Sequence, residues 1–287
     1  MQNPSSEESK AGDFLFPPVL PLPGLFSGSV LKIIAVITMA IDHFSASILY
    51  YMLVTHVFPA GMDFDRVYSI YRVLRGIGRT AFPIYCFLLI EGLLHTRNRL
   101  RYLGSLTFFA LLSEIPFDLA VPDYLSDPAS INIMQILAEN RDTLFENQNV
   151  FFTLAIGLAA ALVIDAFRRR FGVGPVTVLA AAPVSFAAYQ LAERMHTDYG
   201  GIGVLLILCF YFLHPIRLAA SGAGYYVLTR LNLEMWGFPA FLLIPFYNGK
   251  RGFLGRGAAA KYFFYIFYPA HLFLYFLLRA LWIGSLL

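Results

Sequence analysis

Apolar residues in this chain come in blocks rather than in strict alternation, and the blocks set the architecture. About nine of them are long enough, or nearly so, to cross the roughly 30 Å hydrocarbon layer of a bilayer as helices. They lie at 29–54, 69–94, 101–120, 151–168, 174–192, 200–214, 217–231, 236–248 and 262–284. Polar interruptions separate them, at 63–66, 95–101, 123–149, 168–170, 193–198 and 247–261. Gly and Pro interrupt the fifth to eighth blocks, and some of these are short. The expected fold is an all-α, polytopic transmembrane helical bundle of about nine spans. No internal repeat is visible, which argues against a transporter built from two matched halves.

Composition agrees with this pattern. Hydrophobic residues make up 58% of the chain and charged residues only 14%, where a soluble domain carries about a quarter. Residues 1–28 differ from the rest, being polar and then rich in Pro and Phe, and they read as a cytosolic lead-in without the basic start of a secretory signal. Residues 29–287 form the single transmembrane domain. Cys86 and Cys209 both fall in apolar stretches and read as small buried hydrophobes, so neither a disulfide nor a metal site is expected. The basic residues form no continuous stripe, so no nucleic-acid partner is expected.

Their positions instead set an orientation. Arg97, Arg99 and Arg101, then Arg168, Arg169 and Arg170, then Arg217, then Lys250, Arg251, Arg256 and Lys261 fall on one side if the spans alternate. The opposite loops carry Asp63, Asp65, Asp123, Asp127, Glu139, Asp142, Glu146, Glu193 and Asp198. By the positive-inside rule the basic side is cytosolic, which places the N-terminus inside and the C-terminus outside.

Ionisable groups at membrane depth point to function. Asp42 and His43 sit inside the apolar run of the first span, with His43 roughly 20 Å from its start at 1.5 Å per residue. His43 suits a general base, with Asp42 or another carboxylate fixing its tautomer; a buried packing pair is the competing account. In Arg75-Gly76-Ile77-Gly78-Arg79 the two arginines share a helix face. Snorkelling to the interface competes for Arg75, whereas the deeper Arg79 is expected to pair with an acid. Glu114, in Ser113-Glu114-Ile115-Pro116-Phe117-Asp118, is the expected partner of Arg79 or His43. Asp198 reads as a solvated loop residue or helix cap. His271, in the last span, suits either packing or a cavity.

At the basic side, Arg97, Arg99, Asn248, Lys250 and Arg251 combine guanidinium, ammonium and amide groups with Gly249 and Gly252, a mixture suited to a polyphosphate anion. Positive-inside topology explains the charges but not the glycines. No GxSxG, HExxH, Walker or GxGxxG motif occurs.

Taken together, Leu31 to Ala35, Met39, Asp42-His43, Gly78 to Tyr85, Glu91-Gly92 and His95 to Asn98 resemble the TraX family. Ser113 to Phe117, Asp198-Tyr199-Gly200, Tyr247 to Gly252 and Phe264 to His271 continue the resemblance, which runs from about 31 to 275. TraX proteins are associated with N-terminal acetylation of conjugative pilin and are grouped with membrane acyltransferases. The resemblance therefore implies a multi-pass protein of the bacterial inner membrane that uses acetyl-CoA as acyl donor. The acceptor would be a pilin N-terminus, a peptide, a sugar or a small amine. His43 would act as base, Asp42 or Glu114 would orient it, Arg79 would stabilise developing charge, and Arg97, Arg99, Asn248, Lys250 and Arg251 would hold the CoA phosphates. The alternative is a proton-coupled transporter or exporter with Asp42, His43 and Glu114 as its relay.

Overall fold

The computed structural model describes residues 24–127, 130–213, 236–254 and 258–283. The expected span at 217–231 lies outside the described residues, as do Arg217, Arg256 and the side chain of Lys261. Among the described residues the chain is helical, with only two isolated β-bridges.

Helix α1 runs from Gly28 to Thr55 without a break, although Ser45–Leu49 form a π-helical turn. Ser27 caps its start by accepting from the Val30 amide. The block expected as one span at 69–94 is two helices end to end, α2 (Phe64–Gly78) and α3 (Ala81–His95), which meet at Arg79 and Thr80. The break is local: the Arg79 amide still reaches the Arg75 carbonyl, and the Thr80 amide reaches that of Ile77. Asn98 caps α4 (Arg99–Ala120), and Asn149 caps α6 (Val150–Phe171). Between them lies the short α5 (Ile133–Glu139). Helices α7 (Pro175–Arg194) and α8 (Gly200–Leu213) follow, then α9 (Pro239–Leu243) and α10 (Ala258–Ile283).

Six helical stretches are long and apolar enough to span a bilayer among the described residues: α1, α2 with α3, α4, α6, α7 and α10. The protein is thus multi-pass. Two of the expected spans are shorter than the nine-span reading requires. Helix α8, with 14 residues, extends about 21 Å. The block at 236–248 is the five-residue α9 followed by a 3-10 turn at Ile244–Phe246, because Pro239 can only start a helix and Pro245 cannot donate within one. Large apolar side chains face outward, Leu179 at 74% and Phe186 at 66% exposure on α7, as a lipid-facing surface allows.

The helix ends sort by charge. The start of α1, the α3–α4 connection, the end of α6 and the segment 247–254 lie at one end. Tyr247 packs edge-on to Phe87 of α3, and Arg99 of α4 reaches Asp165 of α6. At the opposite end Arg279 of α10, fully buried, donates to the carbonyls of Leu119 and Ala120, the last of α4, and to the Ser47 hydroxyl of the π-helical turn. A guanidinium thus satisfies carbonyls that a helix terminus leaves open.

Candidate functional site

Halfway along α1 the side chains of Asp42 and His43 diverge, and each meets a different helix. Asp42 Oδ2 accepts from Arg75 Nη1 at 2.5 Å and from Arg79 Nη2 at 3.4 Å. Gly78 makes this approach possible, since a Cβ there would collide with the Asp42 side chain. The Gly-Ile-Gly step between the arginines is therefore the place where α2 closes on α1. Arg75 pairs rather than snorkels. Arg79 also donates to the Tyr199 hydroxyl at 3.1 Å, and the Tyr199 ring stacks on Phe82 of α3.

His43 turns the other way. Its Nδ1 lies 2.6 Å from His271 Nε2 on α10, and His271 Nδ1 lies 2.7 Å from the Phe267 carbonyl. A carbonyl only accepts, so His271 Nδ1 carries a hydrogen. With the ring neutral, His271 Nε2 presents a lone pair, and the hydrogen between the rings sits on His43 Nδ1. His43 Nε2 is left as the basic atom. The group that fixes the imidazole is therefore His271, where the sequence suggested Asp42 or Glu114. A carboxylate already holding two guanidinium groups is a poor partner for an imidazole.

His43 and Asp42 line a cavity of about 50 Å³, together with Tyr199, Asp198, Tyr268 and Phe264. This is room for about one or two waters, or for an acetyl-sized group. Tyr268 is buried, with a hydroxyl that has no hydrogen-bond partner among the described residues, and its ring meets His43 edge-on at 5.6 Å. Asp198 is exposed in the loop before α8, as the sequence suggested, and it also lines the cavity.

Glu114 stands apart. Its Oε2 accepts from the side-chain and backbone amides of Asn149, which also donates to the Ala110 carbonyl. The carboxylate thus anchors the cap of α6 on α4 and pairs with neither Arg79 nor His43.

At the basic end the expected anion-binding residues divide. Arg97 is exposed. Arg99 joins Arg168 and Arg169 around Asp165, which also accepts from the Tyr211 hydroxyl. Asn248 Oδ1 accepts from the Lys250 amide at 2.9 Å, holding a turn. The side chains of Lys250 and Arg251 are exposed, while their carbonyls accept from the Gly28 and Ser29 amides at 2.9 and 2.8 Å. This segment therefore caps α1. Gly249 and Gly252 have φ of +70° and +90°, and a Cβ at Gly252 would collide with the hydroxyls of Ser27 and Ser29. The glycines left unexplained by topology are explained by this clasp.

Reading from sequence singled out Asp42, His43 and Arg79, which the fold brings together. It gave no firm place to Arg75, Asp198 or His271, and it passed over Tyr268. Only the Asp-His pair carries a local signal, since the others belong to different helices.

Six helical stretches long enough to span a bilayer among the described residues, four of which (α1, α2 with α3, α6 and α10) line a charged and aromatic cavity, define a polytopic helical membrane protein. A model described as TraX protein matches residues 27–279, and the chain belongs to that family. It is also 30% identical over 267 residues to the probable fimbrial assembly protein FimC, serogroup H1, of Dichelobacter nodosus. That alignment covers 86% of this chain and 93% of the relative. No solved structure matches it.

Proposed function

We propose that this protein is a membrane acyltransferase that moves an acyl group, acetyl in the first instance, from acyl-CoA to an amine or hydroxyl acceptor. The observation that carries the reading is the Phe267–His271–His43 chain of hydrogen bonds. It leaves a neutral imidazole nitrogen as base on a residue lining a cavity.

In this reading the acceptor nucleophile attacks the thioester carbonyl as His43 Nε2 takes its proton. The new C–N or C–O bond forms as the C–S bond breaks, and the proton passes from His43 to the departing thiolate. Arg79, between Asp42 and Tyr199, faces the negative charge that develops on the carbonyl oxygen. Asp42 sets the two arginines in place. The basic end is cytosolic, the chain enters the bacterial inner membrane from that side, and the donor arrives there. The relative's name, a fimbrial assembly protein, favours a pilin N-terminus as acceptor.

The test uses full-length protein in nanodiscs with acetyl-CoA and a peptide bearing a free N-terminus. Acceptor-dependent release of CoA thiol is expected, and its loss in His43→Ala. A protein that releases no thiol yet carries a pH-gradient-driven flux in vesicles would be a transporter, and the acyltransferase reading would be wrong.

A further inference from the structure

The cations at the basic end are not equivalent. Arg99, Arg168 and Arg169 already share an internal anion, the Asp165 carboxylate. Lys32 and Arg251 do not. Lys32 stands one turn into α1 and is half-buried, with its ammonium 5.2 Å from the centre of the Phe264 ring. Arg251 lies within electrostatic range of that ammonium, because its backbone is fixed to Ser29 on the preceding turn of α1. Neither side chain forms an ion pair among the described residues. The exposed Arg251 repels the half-buried Lys32, and a phosphate between them would turn that repulsion into attraction.

The position matters as much as the charge. Phe264, under the Lys32 ammonium, is also a wall of the cavity that holds His43. Along α1 the distance from Lys32 to His43 is about 16 Å at 1.5 Å per residue. A ligand with an anionic head at Lys32 and an extended uncharged arm along α1 would therefore present its far end at the cavity.

Building on the acyl-CoA reading, we infer that Lys32 and Arg251 form the phosphate-binding site for the nucleotide end of the donor, with Lys32 as its inner anchor. A thioester lacking the nucleotide would gain nothing from this pair. An anionic lipid headgroup offers the same phosphate chemistry from a different source.

The experiment measures CoA binding by calorimetry to full-length wild type, Lys32→Met and Lys32→Arg in phosphatidylcholine nanodiscs, and repeats it with phosphatidylglycerol present. Transfer from an N-acetylcysteamine thioester, which lacks the nucleotide, is followed in parallel. Lys32→Met retains the length and apolar stem over Phe264. It should weaken CoA binding about tenfold or more, leave transfer from the short thioester unchanged, and be largely rescued by Lys32→Arg. Unchanged CoA binding in Lys32→Met would overturn the assignment while leaving the donor reading intact. So would an effect confined to phosphatidylglycerol binding, which would make the site a lipid contact. Equal losses with both donors would make Lys32 structural. A wild type that binds no CoA would instead overturn the donor reading itself.

Discussion

His43 Nδ1 lies 2.6 Å from His271 Nε2, joining two imidazoles that are far apart in sequence and on helices that run side by side. The rings are nearly parallel, at 26°, with centroids 4.9 Å apart. Since His271 is itself tied to the Phe267 carbonyl, the pair has a direction, and the basic nitrogen belongs to His43.

In the acyltransferase reading His271 is a positioning residue, and its loss should act on the chemical step. His271→Ala should lower kcat by about ten- to a hundredfold, in line with the cost of misplacing a catalytic group, and leave the KM for acetyl-CoA nearly unchanged. His271→Gln should recover part of the rate, because its amide oxygen can accept from His43 Nδ1. A merely structural histidine would give parallel losses in yield and thermal stability, with no rescue by Gln.

The Asp42 carboxylate serves two guanidinium groups, so the variants around it should not be equal. Asp42→Asn leaves Arg75 and Arg79 close together without their shared anion. Breaking a buried pair in this way costs about 3–5 kcal/mol. Arg75→Met still leaves Asp42 with Arg79 and should cost less. Thermal unfolding in detergent should rank wild type above Arg75→Met, and Arg75→Met above Asp42→Asn. The reverse order for the two variants would mean that Arg79 does not depend on Asp42.

How much of this was legible in the sequence depends on the reach of each interaction. The apolar blocks marked the spanning helices, because burial in lipid demands long uninterrupted runs. At 236–248 the run is apolar but cut by proline into two short helical pieces rather than one long helix. Asp42 and His43 stood out as polar residues at membrane depth, yet their partners did not. Helix packing decided that Arg75 turns to Asp42, that Glu114 anchors Asn149 and that His271 reaches His43. No spacing within one helix encodes such a pairing. The segment Tyr247 to Gly252 has a role that its basic and glycine content did not reveal: its backbone caps α1.

The close approach of α1 and α2 at Gly78 gives a steric test. Gly78→Ala would place a methyl group against Asp42 and separate the helices that hold the charged cluster. Activity should fall sharply while the protein still inserts. Gly104→Ala on α4 is the control, since nothing lies within 4 Å of a Cβ there. It should keep full activity and gain roughly 0.5–1 kcal/mol from the higher helix propensity of alanine. Full activity in Gly78→Ala would show that the α1–α2 contact is looser than this geometry.

The last prediction concerns which end faces the cytosol. Donor and acceptor meet at His43 from opposite sides only if the clasp at 247–252 and the α4–α6 connection lie on opposite faces of the membrane. Lys250 and Glu146 are both exposed and serve as reporters. With Cys86 and Cys209 replaced by Ala, Glu146→Cys should react with a membrane-impermeant maleimide in intact cells. Lys250→Cys should react only after permeabilisation. The physical reason is the sorting of charge, with Arg97, Arg99, Arg168, Arg169 and Arg170 at the Lys250 end. Reversed labelling would put the donor site outside the cell, where acyl-CoA is absent, and the acyltransferase reading would have to be abandoned. Labelling of both sites from one face would contradict the helix path itself, because α4 alone carries the chain from one end of the bundle to the other.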